Sequence, residues 1–406
     1  MTERTTVAIT GGGPAGMVLG LLLARAGIEV TVLEKHGDFL RDFRGDTVHP
    51  STLQLLDELG LGEKFAALPQ SKLGEIEFPF GENESLVVGE FARLRVAHPY
   101  IAMVPQWDFL GLLADAASTE PTFTLRMNTE VTGLVQESGA VRGVRYRTSD
   151  GQTGELRAEL TVAADGRWSL ARAEVGFEPK EFPVPIDTWW FRLPRTSEGM
   201  GAIAPTMGEG QAGVVIPREG YLQIAYLARK GRDAELRSEG VARFRERIAR
   251  LWPGLAERVD AIKSMDDVKH LDVRLNRLNR WHTDGLLLIG DAAHAMSPIG
   301  GVGINLAVQD AVAAARLLAE PLRRGTMTPR VLARVRARRR LPTVAVQTLQ
   351  RLLHRVVIAP VISGKRVGPP KAMAFLLRRA PFLRFVPAYL IGVGIRPEHA
   401  PEFARR

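Results

Sequence analysis

The 406-residue chain contains no cysteine. Disulfides, thiolate metal sites and cysteine nucleophiles are excluded, and no metal is expected. The absence fits a reducing compartment. Long apolar runs are lacking too: no stretch reaches the 18 or so residues that a spanning helix needs. After Met1-Thr-Glu-Arg only the short run Val7–Ile9 precedes a set of glycines, too little for a secretory leader. A cytoplasmic protein is expected.

What is present is an ordinary globular composition, 45% hydrophobic and 24% charged, on a chain long enough for two or three domains. The net charge of +9 and pI near 10.1 raise nucleic acid or an anionic membrane as partners. The arginines concentrate late, in Arg334-Val-Arg336-Ala-Arg338-Arg339-Arg340 and at Arg378-Arg379. No aromatic-interleaved basic motif accompanies them, so solvated helix faces are expected and nucleic acid is not.

Thr5–Thr10 is a β-branched apolar run that stops at Gly11-Gly-Gly-Pro14-Ala15-Gly16. Met17–Arg25 reads as a buried helix, and Ile28–Leu33 as a second strand closing on Glu34-Lys35, which makes a βαβ unit. Ser51 is placed to cap a helix over Thr52–Leu59. Leu73–Phe80 and Ser85–Phe91 form a hairpin foreign to a doubly wound sheet. A helix is predicted over Gln106–Ala117, and a meander over Thr122–Asn128, Val131–Ser138 and Val141–Ser149. Leu156–Ala164 is a strand halted by Asp165-Gly166. Strands are expected at Asp187–Leu193, Ala212–Ile216 and Tyr221–Leu227, then a helix at Ser238–Leu251. Gly285–Ile289 is a buried strand before Gly290-Asp291, followed by a helix over Gly301–Glu320 and a basic, mainly helical remainder.

Gly11-x-Gly13-x-x-Gly16 sits where strand passes to helix. Gly11 permits the tight turn, Gly13 lets a pyrophosphate approach the backbone, and Gly16 lets helix and strand pack closely. Free N–H groups of the helix start favour the phosphates. Glu34, 18 residues beyond Gly16, ends the second strand, placed to accept hydrogen bonds from a ribose diol. Its charge disfavours a 2′-phosphate there, but the motif leaves NAD and FAD open.

Two later segments narrow this: Asp165-Gly-Arg-Trp-Ser-Leu-Ala-Arg172, and Gly290-Asp291-Ala-Ala-His294-Ala-Met-Ser-Pro298-Ile-Gly300-Gly301-Val-Gly303-Ile304-Asn305 running on to Asp310. With the N-terminal glycines, in this order, they resemble the three signatures of the group A flavoprotein monooxygenases, the p-hydroxybenzoate hydroxylase-like family, over residues 1 to about 325. The resemblance implies non-covalent FAD, with NAD(P)H as a transient electron donor. Oxygen adds at the flavin C4a, and the hydroperoxide oxygenates an aromatic or polyketide-like small molecule. It implies that Asp291 bonds the ribityl chain, and that Asp165 and Arg172 contact FAD or nicotinamide. Pro298, Gly300 and Gly301 would carry the flavin ring, with the backbone N–H groups of Gly303, Ile304 and Asn305 toward its pyrimidine edge. Arg44, Gln106 and Lys35 join the FAD set. His294 is expected to be structural rather than an acid–base group.

The resulting expectation is an α/β fold with an α+β insert. Residues 1–72, 92–177 and 273–325 would form a Rossmann-type FAD-binding domain, 73–91 and 178–272 a β-sheet substrate domain, and 326–406 a helical C-terminal region. Trp189, Trp190, Arg192, Tyr221 and Tyr226 are candidates to face the substrate, although strand alternation allows only some of them to do so. The apolar, arginine-interleaved stretches Leu349–Ile362 and Ala372–Ile395 read either as a lid packed on the FAD domain or as a peripheral membrane contact. Pro381 and Pro387 favour packing. No second GxGxxG is present, as suits a donor that binds transiently. The Trp-x-Trp-x-Ile-Pro signature of flavin-dependent halogenases is absent. A related epoxidase, Baeyer–Villiger enzyme or prenyl reductase, and a non-catalytic flavin-binding protein, stay open at this stage.

Overall fold

The computed structural model describes residues 3–40, 47–80, 84–195, 204–208, 210–365 and 370–406. Its main sheet runs, in spatial order, Leu286–Leu288, Thr153–Ala163, Glu3–Thr10, Val30–Leu33 and Phe123–Arg126, all parallel. Where both faces are covered the strands are near-continuously apolar, as at Val7–Ile9, Val30–Leu33 and Leu286–Leu288. On one face Val7, Ile9, Val30, Val32, Leu160 and Val162 meet the helices Pro14–Arg25 and Gly303–Arg323. On the other, Ala8, Leu33 and Leu288 meet Leu134, Val141 and Trp281.

Phe123–Arg126 corrects the expected meander: it pairs in parallel with Val30–Leu33. The cause lies on the first helix, where Gly20 leaves room for the Phe123 ring; a methyl group there would come 2.8 Å from Phe123 Cε2. Thr129–Glu137 and Ala140–Thr148 alone form the hairpin that continues onto Thr153–Ala163. The cap assigned to Ser51 is also corrected. The helix begins at Pro50, whose fixed φ suits the first helical position, and His49 is its N-cap.

The second sheet is antiparallel, in the order Ala204–Gly208, Gln211–Pro217, Tyr221–Arg229, Ile186–Pro194 and Lys269–Leu271. Alternation sorts its aromatics. Trp189, Phe191 and Tyr226 are buried beneath Phe244 and Ile248 of the Asp233–Leu251 helix, which bends at Gly240. Trp190, Val214 and Ile216 belong to a different cluster with Phe91, Met296 and Val302.

Past the long Gly303–Arg323 helix, a second helix, Pro329–Leu353, continues through one π-helical turn, His354–Ile358. Short helices Lys371–Arg379 and Phe385–Gly392 follow. Among the described residues no helix is long and apolar enough to cross a membrane. The basic run departs from a solvated face at one position: Arg339 is buried, while Arg334, Arg338 and Arg340 are exposed. Distant segments also close on the first helix, where Arg25 Nη1 donates to both Leu59 O and Ala404 O, at 2.9 and 2.8 Å.

Candidate active site

The first strand ends in the glycine turn. Gly11 has φ +96°, and a methyl group on it would approach Ala164 O at 2.6 Å. A methyl on Gly16 would overlap the Gly11 carbonyl, whereas one on Gly13 meets nothing within 4 Å. Gly13 thus presents the open side of the turn. Pro14 opens a helix with no side-chain cap and no acid in its first turn, so its N–H groups are available to an anion. Buried Ala15 packs where the adjoining strand turns at Gly290, φ +59°.

Glu34 is buried against this turn. Its Oε2 accepts from Gly12 N at 2.8 Å and its Oε1 from His36 N at 3.0 Å, so the acid holds the glycine loop. Lys35 next to it is exposed. Arg44 lies outside the described residues.

Asp165 stands beyond the carboxyl end of Thr153–Ala163, beside Gly11. Burial pushes its carboxyl above the usual range, tempered by bonds from Ser169 and Ala171. Its Oδ1 is buried without a hydrogen-bond partner among the described residues. Such an atom is costly unless a ligand donor meets it. Arg172 is not a surface arginine: it is buried, donating to Ala292 O at 3.1 Å and Arg167 O at 2.6 Å, which ties the second motif to the third. Asp291 is half-buried, 3.5 Å from Arg167 Nη2.

The loop from Pro298 to Gly303 is held from outside. The Gly301 carbonyl accepts from Thr47 Oγ1 at 2.6 Å and His49 Nε2 at 3.0 Å. Gly300 and Gly301 have φ of +83° and +63°. Asn305, buried, accepts from Ser51 and Thr52 hydroxyls at 2.9 and 2.7 Å. Gly303 opens its helix with neither a side-chain cap nor an acid in the first turn, and Ile304 anchors that turn in the core. Gln350 donates to Ser297 O and Ile299 O, each at 2.8 Å, and His354 Nε2 lies 2.9 Å from Ser297 Oγ. Burial holds His49 and His354 near pKa 4. Sequence reasoning missed His49, Gln350 and His354, because nothing in their local sequence marks a partner 51 to 252 residues away.

Gln106 opens the Gln106–Ser118 helix, half-buried. The next residue, Trp107, stacks on Arg192 at 5.6 Å, and Arg192 also covers Tyr221 at 4.6 Å. Trp190, Arg192 and Tyr221 therefore lie away from the core that holds Trp189 and Tyr226. His294 is buried with Nε2 2.6 Å from Asp310 Oδ2, in keeping with a structural role.

An open glycine turn at a helix start, a buried acid on the second strand and two further acids beyond parallel strands define a dinucleotide-binding oxidoreductase. The family model described as "FAD binding domain" matches residues 4–351. The chain is 36% identical over 398 residues to 6-methylpretetramide 4-monooxygenase of Streptomyces rimosus, covering 94% of this chain and 91% of that one. It superposes on the anhydrotetracycline hydroxylase OxyS of Streptomyces rimosus with TM-score 0.77 at 25% identity, covering 98% of this chain and 77% of that chain. The flavin-dependent brominase Bmp2 shares the fold, with TM-score 0.73 at 17% identity, covering 95% of this chain and 94% of the other. The chain belongs to the FAD-binding-domain family and, within it, to the group A flavoprotein monooxygenases. It is an FAD-dependent monooxygenase.

Proposed function

We propose that the chain inserts one oxygen atom into a flat, fused-ring aromatic of polyketide type, held between the second sheet and the Pro298–Gly303 loop. The carrying observation is that Met296 and Val302 share one apolar cluster with Trp190, Val214 and Ile216. An apolar wall facing the loop suits a fused-ring substrate, and the whole-chain similarity to 6-methylpretetramide 4-monooxygenase supports that class. In this reading residues 178–272 with 73–91 cover the substrate and keep water out.

When bound, FAD supplies the two-electron and O₂ chemistry, with electrons from NAD(P)H. The residues of the chain do the rest. The Gly11–Gly16 turn and the helix it opens would hold the pyrophosphate, and Glu34 would take the ribose hydroxyls. Asp165 accepts a donor at Oδ1, and Asp291 bonds the ribityl chain. The N–H groups from Gly303 to Asn305, at an uncapped helix start, would favour negative charge at the ring's pyrimidine edge. Gln350 and His354 keep the loop in place from behind.

The test is NAD(P)H oxidation by FAD-loaded protein across a panel of fused-ring polyphenols and simple phenols. Stimulation by the fused-ring set, with a mass gain of one ¹⁸O from ¹⁸O₂, is expected. Stimulation by simple phenols alone, or by none, would overturn the reading.

A further inference from the structure

From Pro321 to Pro397 the chain carries 17 of its 54 lysines and arginines and none of its 45 acids. The remaining 329 residues sum to a formal −8, so the excess positive charge of the protein belongs to this one segment. The same segment holds most of the large apolar side chains left in water. Phe375 is 71% exposed, Phe382 68% and Leu376 52%, and Phe385, Val386 and Tyr389 are exposed beside them.

These residues form one surface. Ala374 and Leu377 of the Lys371–Arg379 helix turn inward onto Leu86 and Leu383, which leaves Phe375 and Leu376 facing out. Phe385 and Tyr389, one turn apart on the next helix, have ring centroids 5.5 Å from each other. Exposed Lys371, Arg378 and Arg379 stand among them. Exposed apolar clusters of this kind on soluble chains mark interaction sites.

We infer that this face docks on an anionic phospholipid surface, with the aromatic and aliphatic side chains entering the headgroup boundary and the lysine and arginines meeting lipid phosphates. Charge decides among the occupants. A second copy related by two-fold symmetry would set the patch against itself. The cations of the segment would then face cations, since the acids nearby belong to the Glu84–Glu90 strand on which its helices pack and none to the segment itself. A bilayer presenting negative headgroups over an apolar interior matches both halves of the patch. Because no described helix can span, the chain lies on the surface. The surface also adjoins the site: Ile391, two residues past Tyr389 on the same helix, is the nearest neighbour that a methyl on Gly300 would meet, at 3.8 Å. Docking there would bring the Pro298–Gly303 loop close to a phase in which a flat apolar substrate concentrates.

The experiment is flotation of the FAD-loaded full chain with phosphatidylcholine vesicles, with and without phosphatidylglycerol. Binding only to the phosphatidylglycerol vesicles is expected, reversed by high salt. Phe375→Ser/Phe382→Ser and Lys371→Glu/Arg379→Glu should each weaken it at least about tenfold, with flavin absorbance and melting temperature unchanged. Equal recovery with both vesicle types, or undiminished binding by both variants, overturns the proposal. So does a dimer in sedimentation velocity that Phe375→Ser/Phe382→Ser dissociates, which would assign the face to a second copy. Retention on immobilised polyglutamate without vesicle binding would assign it to an acidic protein instead.

Discussion

Arg339 donates from Nε to Asp310 Oδ1 at 3.0 Å, with both side chains buried. The other oxygen of Asp310 accepts from Gly290 N at 3.1 Å and meets His294 Nε2 at 2.6 Å. A single carboxylate thus anchors the turn that carries Asp291 to a helix well downstream. Burial alone would raise the Asp310 pKa, but His294 and Arg339 overcome it and hold the carboxyl below its usual range.

Arg339→Met should destabilise the protein by about 3–5 kcal/mol, because it leaves Asp310 a buried charge without its guanidinium. Urea unfolding would measure this. Adding Asp310→Asn should recover part of the loss, and a single variant as stable as the parent would contradict the assigned pairing.

The buried histidines set an acid limit. His49 and His354 have folded pKa values of about 4, below the ordinary 6.5. The unfolded chain therefore binds more protons between those values, so this stability is complete above pH 6.5 and is lost as pH falls toward 4. At pH 5 each histidine accounts for about 2 kcal/mol. Unfolding free energies at pH 7.5 and 5 should differ less in His354→Gln by about that amount. A difference as large as in the parent would show that His354 is not the group responsible. Asp310 acts in a separate window, its depressed pKa giving stability that is lost only below the ordinary carboxylate range.

Gly301→Ala should loosen the Pro298–Gly303 loop, which we propose carries the flavin ring. Its φ of +63° is unfavourable for alanine, and the new methyl would lie 2.5 Å from Thr47 Oγ1, which now bonds the Gly301 carbonyl. FAD affinity from fluorescence titration should fall about tenfold or more. Unchanged affinity would mean that the loop does not bear on the flavin.

Asp291→Ala removes the half-buried acid beyond Leu286–Leu288. Loss of a charged acceptor is worth about 1.5–3 kcal/mol, or roughly 10- to 100-fold in FAD affinity. Full flavin content after gel filtration at low concentration would refute the role.

Trp189 and Trp190 are neighbours with opposite expectations. Trp189 is fully buried, and its Nε1 donates to Asp233 at 2.8 Å. Trp189→Ala should cost about 3–5 kcal/mol. Trp190→Ala, at a partly buried position, should cost less stability than Trp189→Ala and raise KM for the aromatic substrate. The reverse pattern would invert the assigned faces of the sheet.

The cofactor half of the fold was readable because its signals are local: glycines demanded by close approach, acids at strand ends, and apolar runs bounded by turns. Where the outcome depended on distant partners the reading failed. Arg339 sits among six other arginines of its helix, and its pairing with buried Asp310, distant in sequence, sets it apart. Phe123–Arg126 adjoins the next strand so closely that a hairpin was the natural reading. Its parallel partner was decided by Gly20 on another element. Trp189 and Trp190 could not be told apart until the helix over one face of the sheet was known.

The two acceptors of Arg25 set a timetable for folding. Leu59 is 34 residues away from it, and Ala404 is 379. At roughly 5–20 residues per second of synthesis, the second acceptor emerges about 20–75 s after the arginine itself. Through that interval the first helix, which opens at the glycine turn, stands without its last tether. Nascent chains should therefore gain protease resistance in the Pro14–Arg25 region late, well after the strands on either side of it have been made.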